Sequence, residues 1–296
     1  MRALTIPLRS IAVLATACCV SPLAAQANLV NNGSFGRGLT GWSMSGGGVD
    51  AKVETFDTTG LGASSSFGVN AGKGATGPNP PLILAQSVTV TRAASELYMD
   101  LSLDAPAANN DAGTIVVKLG GTEVARKSWG KVPQRVQARD ILCVRFVPKL
   151  AGRQTLAIEF QRQFQAARGR TPRLWIDNVS LFRTPGPTFC WRGHRRPGQF
   201  TLIEVLGVPQ TAFGVLVAAR PIRATPIQGF DGVLRLDPAT VVVFFSAPLD
   251  QRGKFRQQLR IPNQLGGLVG VSLFYQPIAF TARPAFGIMH NYGLQR

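Results

Sequence analysis

The chain has 296 residues and a formal net charge of +17, with 32 Lys and Arg against 15 Asp and Glu. That length suits two ordinary domains, and four cysteines in so long a chain exclude a disulfide-built scaffold. The positive charge favours polyanionic partners, but it speaks to association and not to fold.

Residues 1–27 have the layout of a signal peptide. Arg2 and Arg9 form a basic start, Ile11 to Val20 an apolar run, and Ala25-Gln26-Ala27 a small-x-small cleavage site. The apolar run is shorter than the about 20 residues a membrane-spanning helix needs. No later stretch is long enough either, so no transmembrane anchor is expected. The location expected is secreted, periplasmic or cell-surface. A weaker rival reading lipidates Cys18, which follows small residues. Cleavage removes Cys18 and Cys19 and leaves Cys143 and Cys190. These either pair, tying the first domain to the segment after it, or Cys143 is a small core residue between Leu142 and Val144. Both readings stay open.

Short β-branched runs separated by Gly, Pro, Asn and Asp fill the rest, and helical periodicity is missing. Residues 28–183 make a first β domain, with strands expected over 49–56, 83–91, 97–103, 114–119, 142–147, 155–160 and 174–182. In 97–103, Leu97, Met99, Leu101 and Leu103 share one face, with Tyr98, Asp100 and Ser102 on the other. Gly120-Gly121 is a two-residue hairpin turn of type I′. Segments 60–81 and 105–113 are expected as long loops. Residues 184–198, rich in Pro, Gly and Arg, are expected as a linker. Residues 199–296 form a second, smaller sandwich with strands over 200–206, 213–218, 232–236, 241–245, 255–261 and 268–274. The pilin-like spelling of Phe200-Thr201-Leu202-Ile203-Glu204-Val205-Leu206 is a decoy, because it lies mid-chain and Pro209 interrupts any helix running on from it.

Two segments carry a resemblance. Asn31-Asn32-Gly33-Ser34-Phe35 leading to Gly41-Trp42, and Trp175-Ile176-Asp177-Asn178-Val179, resemble the first and last strands of galactose-binding-like, carbohydrate-binding β-sandwich modules. The resemblance implies a jelly-roll sandwich that binds a glycan. In many such modules a glutamate after the opening Phe and the closing aspartate help to hold a structural Ca²⁺, which takes six to eight oxygens. Here Gly36 stands in the glutamate's place, so Asp177 is the one inherited metal ligand and no other cofactor is expected. The second domain is similar to a C-terminal module of secreted Planctomycetes-type proteins. The matching residues are Pro197 to Leu202, Asp250, Gly253, Ile261-Pro262-Asn263, Leu268-Val269-Gly270 and Tyr275-Gln276.

Sugar-binding modules stack aromatic rings on pyranose faces and orient the sugar with a few polar groups. Trp42 and Trp175 are expected in the core. Trp129, in a turn-like stretch, and Tyr98, off the apolar face, are the expected ligand-binding residues. His194 and His290 lie near no nucleophile motif, and no hydrolase, zinc-protease or phosphate-loop motif is present. The expectation is therefore an exported, non-catalytic carbohydrate-binding or adhesion protein, with a polysaccharide or envelope glycan, anionic or neutral, as partner. A structural or protein-interaction role is the alternative, and a two-carboxylate glycoside hydrolase the third reading. Export argues against nucleic acid as partner.

Overall fold

The computed structural model describes residues 27–46, 50–70, 80–162, 171–193 and 195–295. Residues 1–26 of the expected signal peptide 1–27, Cys18 among them, lie outside the described residues, as does His194. Among the described residues no helix is long and apolar enough to cross a membrane.

The chain is all-β. The first domain stacks two five-stranded antiparallel sheets. One has the order β1 (Ser43–Ser45), β4 (Leu82–Val90), β9 (Gly152–Gln161), β6 (Thr114–Leu119), β7 (Thr122–Ser128). The other has the order β2 (Asp50–Phe56), β3 (Ser64–Asn70), β10 (Arg173–Arg183), β5 (Ser95–Ala105), β8 (Val136–Phe146). Alternate side chains meet between the sheets: Leu84, Ile115, Val117 and Ile158 from one, and Phe67, Leu97, Leu101 and Ile176 from the other. The β6–β7 hairpin closes through Gly120 and Gly121, both at positive φ, as a type I′ turn requires.

Strand β3 corrects the expectation of a loop over 60–81. Its serines and glycine give no strand signal, yet it sits centrally between β2 and β10. Gly68 is needed there, since a Cβ would come within 2.5 Å of the Glu54 Oε1 and 2.7 Å of the Trp175 Nε1.

The opening motif is a tight corner with a physical reason at each position. Asn32 adopts φ 52°, donates from Nδ2 to the carbonyls of Gly38 and Thr40, and accepts from the Arg37 amide. Gly33 lies against β10: its carbonyl accepts from the Val179 amide, and a Cβ would fall 1.8 Å from the Val179 oxygen. Phe35 is buried beside Trp42, whose indole donates to the Asn32 carbonyl.

The second domain pairs β11 (Thr188–Arg192), β12 (Phe200–Leu206) and β17 (Lys254–Arg260) in one sheet. A second sheet runs β16 (Val242–Pro248), β13 (Ala212–Ala218), β18 (Ser272–Phe280), β19 (Ala285–Phe286), with β20 (His290–Gly293) also paired to β18. A small hairpin joins β14 (Pro221–Pro226) to β15 (Val233–Leu236). Strand β11 falls inside the expected linker 184–198; its register with β12 places Phe189 and Trp191 in the core beside Ile203 and Val205.

That core is not closed by the second domain alone. Tyr98, Ile141 and Cys143, from the outer face of β5 and β8, join Phe189, Tyr275 and Tyr292 in one apolar cluster. The second sandwich therefore covers part of the first sandwich's outer face, and the Cys143–Cys190 disulfide links β8 to β11 at the junction. Of the two readings left open for the cysteines, the pair is the one formed.

Candidate functional site

Where the second domain stops short of covering that face, a cleft of about 760 Å³ remains. Four sources line it: the opening corner with Asn32–Ser34, the β2–β3 connection with Thr59 and Leu61, the outer face of β5 and β10 with Tyr98, Asp100, Asn178 and Ser180, and the second domain with Arg195, Ser272 and His290.

The floor is set by a register change in β10. Asp177 pairs with Asp100, but Ser180 then pairs with Tyr98, and Asn178 takes φ 50° in the irregularity between. Trp175 and Asp177 thus lie on the outer face, whereas Val179 and Leu181 lie in the core. Trp175 is buried as expected, for a different reason. It stacks on Phe56 at 3.8 Å, lies under the Arg173 guanidinium and donates its indole N–H to Glu54.

The carboxylates on this floor are held. Tyr98 donates its hydroxyl to Asp100 Oδ1 at 2.9 Å, and Asn178 donates from Nδ2 to Asp100 Oδ2 at 2.8 Å. Burial pushes the Asp100 carboxyl above its usual range, against the hydrogen bond from Asn178 and the nearby Arg195 charge. Asp177 accepts from the Ser64 hydroxyl at 2.5 Å and from the Asn178 amide at 2.7 Å. It is fully buried, and burial raises its pKa to about 6. Glu96 pairs with His290 across the domain boundary, both buried, and His290 stacks on the Tyr98 ring at 4.5 Å.

The two expected ligand residues separate. Tyr98 borders the cleft, but it is 7% exposed, with His290 against its ring and its hydroxyl engaged by Asp100. Its alternation off the apolar face was legible in the sequence. The correction is that this outer face is covered by the second domain, which leaves no open ring for a sugar to stack on. Trp129 lies outside the cleft, half-buried against the first core, with the Lys127 ammonium 5.8 Å from its ring. The residues that sequence reasoning missed are Arg195, His290 and Asn178. They come from the expected linker, the C-terminal strand and a strand irregularity, and only tertiary structure brings them together.

Both oxygens of Asp177 accept hydrogen bonds, and Gly36 supplies no side-chain oxygen. Among the described residues no group of three His, Cys, Asp or Glu side chains converges as a metal site.

No family model matches the chain. No curated protein matches it either. Among solved structures, it is similar to the enzymatically active domain of bacteriophage CBA120 tailspike protein 4, with 18% identity, a TM-score of 0.35, and 52% of this chain and 21% of that one covered. It is similar to TmCBM61 solved with β-1,4-galactotriose, with 16% identity, a TM-score of 0.35, and 53% and 99% covered. It is also similar to a Clostridium thermocellum xylanase 10B fragment, CBM22-1-GH10, solved with xylohexaose, with 13% identity, a TM-score of 0.32, and 54% and 29% covered. The chain thus spans about a fifth of the tailspike domain and under a third of the xylanase fragment. Likenesses this distant settle neither ligand nor activity.

Proposed function

We propose that this is an exported, non-catalytic glycan-binding protein whose ligand seat is the cleft between its two sandwiches. The observation that carries this reading is the cleft's build: a concave surface of suitable size on whose floor Tyr98, Asp100 and Asn178 are already fixed by hydrogen bonds to one another. Hydroxyl-rich ligands are recognised by donors and acceptors held in place before binding, because little conformational entropy is then lost. Asn178, Ser180 and Ser272 offer both kinds. The carboxylates favour binding over hydrolysis. A glycosidase needs one carboxyl free to transfer a proton and another free to attack or activate water. Both oxygens of Asp100 and of Asp177 are instead engaged by donors.

The test is calorimetric titration with a panel of oligosaccharides, using wild type and two variants that fill the cleft from opposite domains, Ser34→Trp and Asn291→Trp. Both positions are exposed lining residues. Expected is micromolar-to-millimolar binding of at least one sugar, lost in both variants and kept in Trp129→Ala. Binding untouched by both fillings, or release of reducing ends on prolonged incubation, would overturn this reading.

One observation favours a second reading, a protein-interaction role in the envelope. Edge strand β16 exposes Val242, Val243 and Phe244 in succession, at 55%, 54% and 40%. Bare apolar edges of that kind are templates for another strand.

A further inference from the structure

We infer that the cleft takes an acidic sugar, with the Arg195 guanidinium as the partner of its anionic group; this rests on the glycan-cleft reading above. Arg195 lines the cleft and is 4% exposed. A guanidinium carries five N–H donors and stays charged at any physiological pH. The side-chain hydrogen bond of Arg195 runs from Nη2 to the Thr59 carbonyl, at 3.3 Å, and its buried Nε has no partner. The group lies over the Tyr292 ring at 5.6 Å, which fixes its plane without neutralising it.

Several other cations on these sheets end on carboxylates, whereas Arg145 ends on the Gly186 carbonyl and Arg153 on the Ser87 hydroxyl, away from the cleft lining. Arg173 meets Glu54, Arg139 meets Asp57, Lys127 meets Asp140, and Arg192, Lys254 and Arg256 converge on Glu204. Among the described residues no carboxylate lies within ion-pairing distance of Arg195. Asp100, which feels the Arg195 charge, is committed to Tyr98 and Asn178, and Glu96 to His290. A buried charge without a hydrogen-bonded counter-ion is destabilising and calls for an explanation. An anion entering the cleft supplies it. It meets the guanidinium, whose Nε is itself sealed from the cleft, in charge-assisted hydrogen bonds, roughly twice as strong as neutral ones.

The rest of the wall sets the ligand's chemistry. The cleft is far larger than a lone inorganic ion, and its other lining groups, Asn178, Ser180 and Ser272, suit sugar hydroxyls. A uronate carboxylate and a sulfate ester share the chemistry that Arg195 reads, and the assay separates them.

The experiment is calorimetry on wild type at about 0.3 M salt, where the Debye length of roughly 6 Å suppresses contacts with the exposed basic surface. Three short oligosaccharides of one backbone are compared: a uronate-bearing form, its carboxyl-reduced neutral counterpart and a mono-sulfated neutral form. Expected is at least tenfold weaker binding of the reduced form than of one acidic form. The acid that binds identifies the source. Arg195→Lys narrows that difference to about threefold, because it keeps the charge and loses the fork. If Arg195→Lys fails to fold, the acidic-to-reduced comparison on wild type decides alone. Equal binding of acidic and reduced forms, both blocked by Ser34→Trp, would overturn the Arg195 assignment and leave the cleft reading standing. Binding of acidic forms that Ser34→Trp does not touch, or no binding at all, would overturn both.

Discussion

The Cys143–Cys190 bond sets a stability that can be worked out in advance. Its sulfurs join β8 of the first sandwich to β11 of the second, across 47 residues of sequence. Both cysteines are fully buried. Constraining a loop of that length in the unfolded chain removes entropy worth roughly 4 kcal/mol at 25 °C. Replacing both residues in Cys143→Ala/Cys190→Ala also leaves a small void, so the loss should be no smaller. The assay is guanidinium unfolding of both proteins followed by far-ultraviolet circular dichroism and by tryptophan fluorescence, whose coincidence checks two-state behaviour. Expected is a loss of about 4 kcal/mol and a melting temperature lower by about 10 °C. Reduction of the wild type should reproduce it. A loss under about 1 kcal/mol would refute the reasoning, because it would mean that the unfolded chain keeps these strands together without the bond.

Single positions give further expected outcomes. Asp177 titrates near 6 when folded against 3.8 for an ordinary aspartate, so the folded state holds the extra proton between those values. Stability should therefore fall as pH rises from about 4 to about 6, by roughly 3 kcal/mol once complete. Asp177→Asn keeps an acceptor for the Asn178 amide, and its urea midpoint should lack that decline; an unchanged pH slope would refute the assignment. Gly33→Ala should fail to fold or lose more than about 4 kcal/mol in thermal melts, since its Cβ would overlap the Val179 oxygen. A near-native melt would show that the opening corner yields easily. Glu96→Ala should cost about 3 kcal/mol by stranding His290 beneath the second domain; a cost near zero in denaturant titration would mean that the pair adds nothing to domain docking.

Much of the fold is legible in local pattern. Alternation in 97–103 gave the inward face of β5 correctly, because side chains of a strand must point to opposite sides of its sheet. Gly120-Gly121 marked its hairpin because few residues tolerate positive φ twice in succession. The opening Asn-Gly-x-Phe corner was recognisable because close backbone approach and positive φ restrict which residues can stand there. Strand β3 was missed, since its partners and not its own serines make it a strand. The parity of β10 was unreadable past Asp177, because nothing in Asn178-Val179 announces the irregularity that turns Trp175 outward and Val179 inward.

The sequence by itself determined the all-β class, most strand positions and an excess of positive charge. Each of these depends on residues near one another in the chain. Tertiary structure alone decided what covers the outer face of β5, that Cys143 meets Cys190, and that Arg195 and His290 stand beside Asp100 and Asn178. Those outcomes depend on how one sandwich docks on another. Docking is a sum of many weak contacts between distant segments, and no local spacing in the chain records it.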